Sequence, residues 1–390
     1  MTKNFFFRQL SFTFALFLVL AFISVISAET LQIGQSLPLK GDLEKKAKEF
    51  NKGSLAWIKY LNSRGGLNGK NIELITKNDA GSAENAEKIS QDFISENYLL
   101  LYGYMGFESC IKSYEISKKS EVPFFGASTG AIELHKFSEN NAFFIRPDYG
   151  SEAENMINIL LENNKNKISF FHSDSKWAES FTKGAKWSFE EKNLKMFSTA
   201  SVSSNSPDIK SAAEKINSGI PEAVIIASEP EIASSFIKEI RKLNPSIIII
   251  AAADVDGNKL SGLLMNQGVG VVVSQVVPFP FNTKYQITRL YKRLSSEYFP
   301  EQALSFSGFE GFISARALTT ILSKCSEPVT RENFIKTARD MAAVNLGGFV
   351  FDFSKNKSTG SINSYFTQIG PGGFLTPISS LDDIYKYSPL

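Results

Sequence analysis

The stretch Val122-Pro-Phe-Phe-Gly-Ala-Ser-Thr-Gly-Ala-Ile-Glu-Leu134 gathers the residue types best suited to chemistry in this chain. An apolar run breaks at Gly126, Ser128 and Thr129 follow between two glycines, and helical composition resumes at Ala131. A strand that ends in small hydroxyl residues and opens a helix makes a cradle for a carboxylate or phosphate. The hydroxyls and the free N–H groups of the first helical turn converge there. The residues from Gly126 to Gly130 also spell G-x-S-x-G, the nucleophile elbow of a serine hydrolase. Binding and hydrolysis therefore compete for the same site.

The hydrolase reading needs a histidine late in the chain, after the serine and an acid. Only His135 and His172 are present. Neither lies late, and a serine without a general base is a weak nucleophile. Ser180 and Lys183, like Ser235 and Lys238, match S-x-x-K in spacing, but no K-T-G companion accompanies them. Two histidines and two cysteines, all far apart, give no metal-ligand spacing. Asp254-Val-Asp256-Gly-Asn258 resembles the start of a calcium loop but lacks its closing glutamate. With no phosphate-binding lysine loop and no G-x-G-x-x-G after a strand, no cofactor is expected. What remains is a set of polar and aromatic residues just past strand ends: Ser128 and Thr129, Trp177, Glu229 and Asp254. Carboxylates so placed can take an ammonium group by charge-assisted hydrogen bonds. A helix cap is the structural alternative for Asp254, and plain packing the alternative for Trp177.

The elements that must position these residues alternate strand and helix. Strands are expected at 31–39, 71–75, 98–103 and 122–125, with helices between them whose apolar positions recur at helical spacing. The alternation resumes after Arg146, with strands at 168–171, 196–202, 222–227, 246–254 and 270–278. The run from Ser246 to Ala253 is so uniformly apolar that both of its faces must be covered. Helices at 284–298 and 308–324 follow, then a hairpin pair at 347–353 and 364–369. Two βαβα series in succession predict two doubly wound α/β lobes, with ligands held in a central cleft outside the strand ends.

A chain of 390 residues can bury more than one core. Its net charge of +2, with no basic stripe interleaved with aromatics, argues against nucleic acid as a partner. Lys3 and Arg8 precede an uncharged apolar run, and small residues at Ser27 and Ala28 end it, which is the layout of a signal peptide over residues 1–28. An uncleaved anchor is the alternative. Cys110 and Cys325 are too few to staple the fold, and Cys110 is expected as a buried thiol.

Taken together, Ile33-Gly-Gln-Ser-Leu-Pro-Leu-Lys-Gly41, Asn62-Ser-Arg-Gly-Gly-Leu-Asn-Gly-Lys-Asn-Ile-Glu-Leu74, the Ser-Thr-Gly-Ala stretch, Phe144-Ile-Arg-Pro-Asp-Tyr149, Ser274-Gln-Val-Val-Pro278 and Ser307-Gly-Phe-Glu-Gly-Phe-Ile-Ser-Ala-Arg316 resemble periplasmic binding proteins of the leucine/isoleucine/valine type. The resemblance covers essentially the whole chain after residue 28. It implies the type I, Venus-flytrap fold, with lobes at 29–145 plus 279–343 and 146–278 plus 344–390 joined by three crossovers. It also implies a non-enzymatic, periplasmic, monomeric protein that binds an amino acid or similar compound and delivers it to an ABC transporter permease. By position, Ser128, Thr129 and Gly130 would hold the ligand carboxylate. Trp177 would cover the ligand, Asp254 would take its ammonium, and Tyr149 would line the cleft. Departures from the family pattern fall at Phe107 and Ser151, where a carboxylate donor and an acid are usual, and at Lys45, Lys46 and Lys48 near the mouth. They point to a ligand larger, less zwitterionic or more acidic than a simple aliphatic amino acid. A ligand sensor of the same fold, or an exported esterase using Ser128, are the alternatives.

Overall fold

A computed structural model of the chain describes residues 30–136, 141–354 and 357–387. Residues 1–28, where a signal peptide is expected, lie outside the described residues. The first sheet has five parallel strands in the order β2-β1-β3-β4-β5. They are β1 (Thr30–Leu37), β2 (Asn71–Asn78), β3 (Leu100–Tyr102), β4 (Phe124–Phe125) and β5 (Ala142–Phe143). The second is formed by β6 (Ile168–Ser173), β7 (Thr199–Val202), β8 (Ala223–Ala227), β9 (Ile248–Ala251) and β10 (Val272–Gln275), all parallel. Two further strands, numbered after the small hairpin described below, extend it antiparallel beyond β10. Helices alternate with the strands as the apolar spacing predicts. Ser82, for example, caps the helix Ala83–Ser95 by accepting from the Asn85 N–H, and Ala86, Ile89 and Phe93 form its buried stripe.

The late helices return to the first sheet. Helix Phe306–Leu322 is largely apolar and buried nearly throughout. It crosses helix Glu44–Ser63 so closely that a Cβ on Gly311 would stand 2.1 Å from the Phe50 carbonyl oxygen. A Cβ on Gly53 would stand 1.8 Å from that of Gly308. Only hydrogen at these positions lets the two backbones approach, and the approach carries Glu310 to the sheet's strand ends.

The expected hairpin between 347–353 and 364–369 does not form. Instead β11 (Val344–Asn345) pairs with β12 (Val350–Phe351), closed by Asn345 Oδ1 accepting from the Gly347 and Gly348 N–H groups. The pairs β10–β13 (Tyr365–Ile369) and β13–β14 (Leu375–Ile378) complete the second sheet. Leu346, Phe349, Phe351 and Phe353 meanwhile pack in one core with Phe125, Phe143 and Phe334 of the first lobe. The chain thus remains against the first lobe past Val344, because aromatic burial there outweighs early transfer to the second sheet. Cys110 and Cys325 are both buried and unbridged.

Candidate functional site

Strand β4 ends at Phe125, and the chain bends at Gly126, whose φ of +66° only glycine adopts freely. Ser128 then runs beside Met105 as a parallel bridge, its N–H donating to the Tyr104 carbonyl at 2.7 Å. Thr129 Oγ1 accepts from the Ala131 N–H, and Ser180 Oγ from the Ile132 N–H. The helix that follows is a single turn, Ile132–His135. Two of the N–H groups expected to converge on a ligand, those of Ala131 and Ile132, are instead taken by side-chain hydroxyls. What this segment offers to the cleft is side chains.

The first crossover supplies the central charge. Arg146 follows the buried run Ala142–Ile145 and is only 2% exposed. Its Nη2 lies 3.0 Å from Asp254 Oδ1, and its Nη1 lies 3.9 Å from Glu310 Oε1 and donates to Ser128 Oγ at 3.5 Å. Tyr149 Oη donates to Asp254 Oδ2 at 2.7 Å. Ser128 Oγ donates to Glu310 Oε2 at 3.2 Å. Glu152 accepts from the Ala253 N–H at 2.8 Å, which fixes the short helical turn that carries Asp254. The cap role falls to Asp256, which accepts from the Lys259 N–H, and Asp254 is left for the cleft.

Burial raises the affinity of these carboxyls for protons, and Arg146 opposes it. For Asp254, Arg146, Lys46 and Tyr149 prevail over burial and hold the pKa below the usual value. For Glu310 burial prevails and the pKa rises. Glu152, fully buried, is pushed up to about 7 against the pull of Arg146. The carboxylates in turn outweigh burial at Arg146 and hold its proton more firmly.

Above this cluster lies a cavity of about 470 Å³, in the size range of small-molecule sites. Ser128, Thr129, Tyr149, Trp177, Asp254 and Phe107 all line it. Three other expected residues do not. Gly130 packs beneath Tyr149, where a Cβ would stand 2.5 Å from the ring. Ser151 Oγ donates to Asp148 Oδ2 at 2.9 Å, within a helix cap. Glu229 stands at the start of helix Pro230–Leu243, one residue past β8, and is not among the lining residues. Lys46, one of the lysines expected near the mouth, lines the cavity and lies 3.9 Å from Asp256. Sequence reasoning missed Arg146, Glu310 and Glu152 as site residues. The signal for Glu310 was available: it is the single acid of a largely apolar helix that is buried nearly throughout.

Ser128 faces Glu310 and Arg146, not an imidazole. His135 Nε2 lies 3.0 Å from the Thr129 carbonyl and Nδ1 lies 2.8 Å from Thr359 Oγ1. Burial pushes its pKa down to about 4. Among the described residues no group of metal-ligating side chains assembles.

Comparison with known proteins places this architecture. The family model described as periplasmic binding protein matches residues 30–373. The chain belongs to the periplasmic binding protein family. The Leu/Ile/Val-binding protein homolog 7 of Brucella melitensis is 21% identical over 350 residues, 84% of this chain and 86% of that protein. The match to the homolog 7 of Brucella abortus is 23% identical and spans 232 residues, 56% of this chain and 58% of that protein. Among solved structures, a possible leucine/isoleucine/valine-binding protein from Rhodopirellula baltica superposes with a TM-score of 0.82 at 21% identity, covering 92% of this chain and 98% of its own. A fatty acid ABC transporter substrate-binding protein from Thermomonospora curvata gives 0.77 at 16% identity, covering 92% and 95%. At such identities these solved structures show the shared fold.

Proposed function

We propose that this chain is an exported solute-binding protein that captures one small, amino-acid-like organic ligand between its two sheets and delivers it to a membrane permease. The observation that carries this reading is the convergence of both lobes on one cavity. Ser128 and Glu310 come from the first lobe, Asp254 and Trp177 from the second, and Arg146 and Tyr149 from the crossover that joins them. A ligand touching both sides stabilises the closed arrangement of the hinge. The half-buried ring of Trp177 supplies an apolar wall, and the Asp254 carboxylate an acceptor that fixes orientation.

The test is a thermal-shift panel of amino acids, dicarboxylates, small amides and polyamines against the purified protein. A compound at one hundred times its dissociation constant stabilises the folded state by about 2.7 kcal/mol, a shift of several degrees. The responding compound should lose its shift in Trp177→Ala while the variant keeps its unliganded melting temperature. A folded protein that responds to nothing would remove the reading. Export is tested separately, by N-terminal sequencing of the protein recovered from the periplasmic fraction: a start near residue 29 is expected, and an intact Met1 would contradict it.

A further inference from the structure

Both poles that an α-amino acid would present are already occupied by the protein itself. Asp254, placed for an ammonium, has Arg146 Nη2 at 3.0 Å on one oxygen and Tyr149 Oη at 2.7 Å on the other. Ser128, placed for a carboxylate, spends its hydroxyl proton on Glu310 at 3.2 Å. Arg146 is 2% exposed and Glu310 6%, so neither leaves the floor without undoing its packing. A zwitterion entering here would bring its carboxylate against Glu310 and its ammonium against Arg146, like charge against like. A carboxylate has about four lone-pair sites, however, so Asp254 keeps acceptor capacity for a neutral N–H donor.

The apolar part of the ligand has room elsewhere. A second cavity of about 370 Å³ adjoins the first, and Asn258, Phe306 and Leu375 line both. Phe279, Pro280, Phe281, Leu304 and Phe374 supply its remaining large side chains, and no charged residue lines it. Phe281 is 56% and Phe374 75% exposed, two large rings left to water at one opening. A contiguous apolar patch marks a place where a ligand or partner sits, and here Phe306, Phe279 and Phe281 follow one another with ring centroids 6.1 and 5.4 Å apart. Continuity with the charged cavity identifies the covering group as the rest of the same ligand.

We propose that the cleft selects an uncharged, N–H-donating head group on an apolar tail, the head on Asp254 beside Trp177 and the tail running past Phe306 toward Phe281 and Phe374. This deepens, and rests on, the solute-binding reading. A cationic head at Asp254 is disfavoured by Arg146 3.0 Å from the same oxygen, and an anionic head beside Ser128 by Glu310; Lys46 and Lys259, which also line the cavity, face Asp256 at 3.9 Å and Glu231 at 2.7 Å.

The experiment is calorimetric titration of the purified protein with a matched set: hexanamide, octanamide, norleucine, hexanoate and hexylamine. Hexanamide should bind, and octanamide roughly tenfold tighter for its two extra buried methylenes. Norleucine, hexanoate and hexylamine should each bind at least tenfold more weakly than hexanamide. Phe281→Ser, at an exposed position where folding is not at stake, should erase most of the gain of octanamide over hexanamide. Norleucine or either charged analogue binding as tightly as hexanamide would overturn the inference on the head group while leaving solute binding intact. An octanamide gain that survives in Phe281→Ser would overturn the placement of the tail. Binding of none of the five by a folded protein, with a silent thermal-shift panel, would overturn solute binding and this inference together.

Discussion

Replacing Arg146 by Met should expose how far the site depends on one buried guanidinium. At an effective dielectric constant near 20, a unit pair at the 3.0 Å Arg146–Asp254 distance interacts by about 5 kcal/mol. The Glu310 pair at 3.9 Å interacts by about 4 kcal/mol on the same basis. Desolvation offsets much of this in the intact protein, but removing one partner leaves the carboxylates buried and unpaired, which typically costs about 3–5 kcal/mol. Arg146→Met should therefore lose about that much stability in urea unfolding at pH 8 without ligand. The deficit should narrow at pH 5. Without Arg146 the folded state holds Glu310 and Glu152 as acids with raised pKa values, so it binds more protons than the unfolded chain, and acidification stabilises it. If the single variant is too unstable to measure at pH 8, Arg146→Met combined with Glu310→Gln should recover part of the loss. A deficit below about 1 kcal/mol at pH 8, or one that widens as pH falls, would refute the claim that Arg146 neutralises this cluster.

Further outcomes follow from single features of the structure. Glu152, with its pKa raised from 4.5 to about 7 and its Oε2 buried without a partner, makes the folded state less stable as pH rises from about 4.5 through 7. Glu152→Gln should remove that slope and gain up to roughly 3 kcal/mol at pH 8, read by denaturant titration across the range. Gly311→Ala forces a methyl into the Phe50 carbonyl and should lower the melting temperature by many degrees, whereas Gly262→Ala, with nothing within 4 Å, should not. Phe143→Ala empties a ring cluster shared with Phe125, Phe334 and Phe353, centroids 6.3, 5.8 and 5.2 Å away, and should cost about 3–5 kcal/mol in urea unfolding. A loss under 1 kcal/mol there would mean the first lobe does not depend on that core.

The layered fold was legible because its signals are local. Strands such as β9 read as continuous apolar runs, and helix starts such as Ser82 and Thr330 carry their caps in sequence. The ends of β4 and β5 were less so: each keeps only two paired residues before the chain turns toward the cleft. The hairpin near 347 was misassigned because Asn345-Leu-Gly-Gly closes its own tight turn, a local choice that alternation alone does not reveal. Asp254, Trp177 and Ser128 were expected from their positions after strands and Tyr149 from the family resemblance, and all four line the cavity. The charge cluster could not be placed so, since its contacts join residues 108 and 182 positions apart. Ser151 shows the converse error: a polar residue at a helix start satisfies its own helix before it serves a cavity.

The central claim is that one small molecule is held by both lobes at once. Amide hydrogen exchange followed by mass spectrometry, with and without the tightest binder from the compound panel, tests it most directly. The account predicts simultaneous protection of the segments around Ser128, Tyr149 and Asp254, which belong to the first sheet, the crossover and the second sheet. Protection confined to one sheet, or appearing only outside these segments, would contradict it.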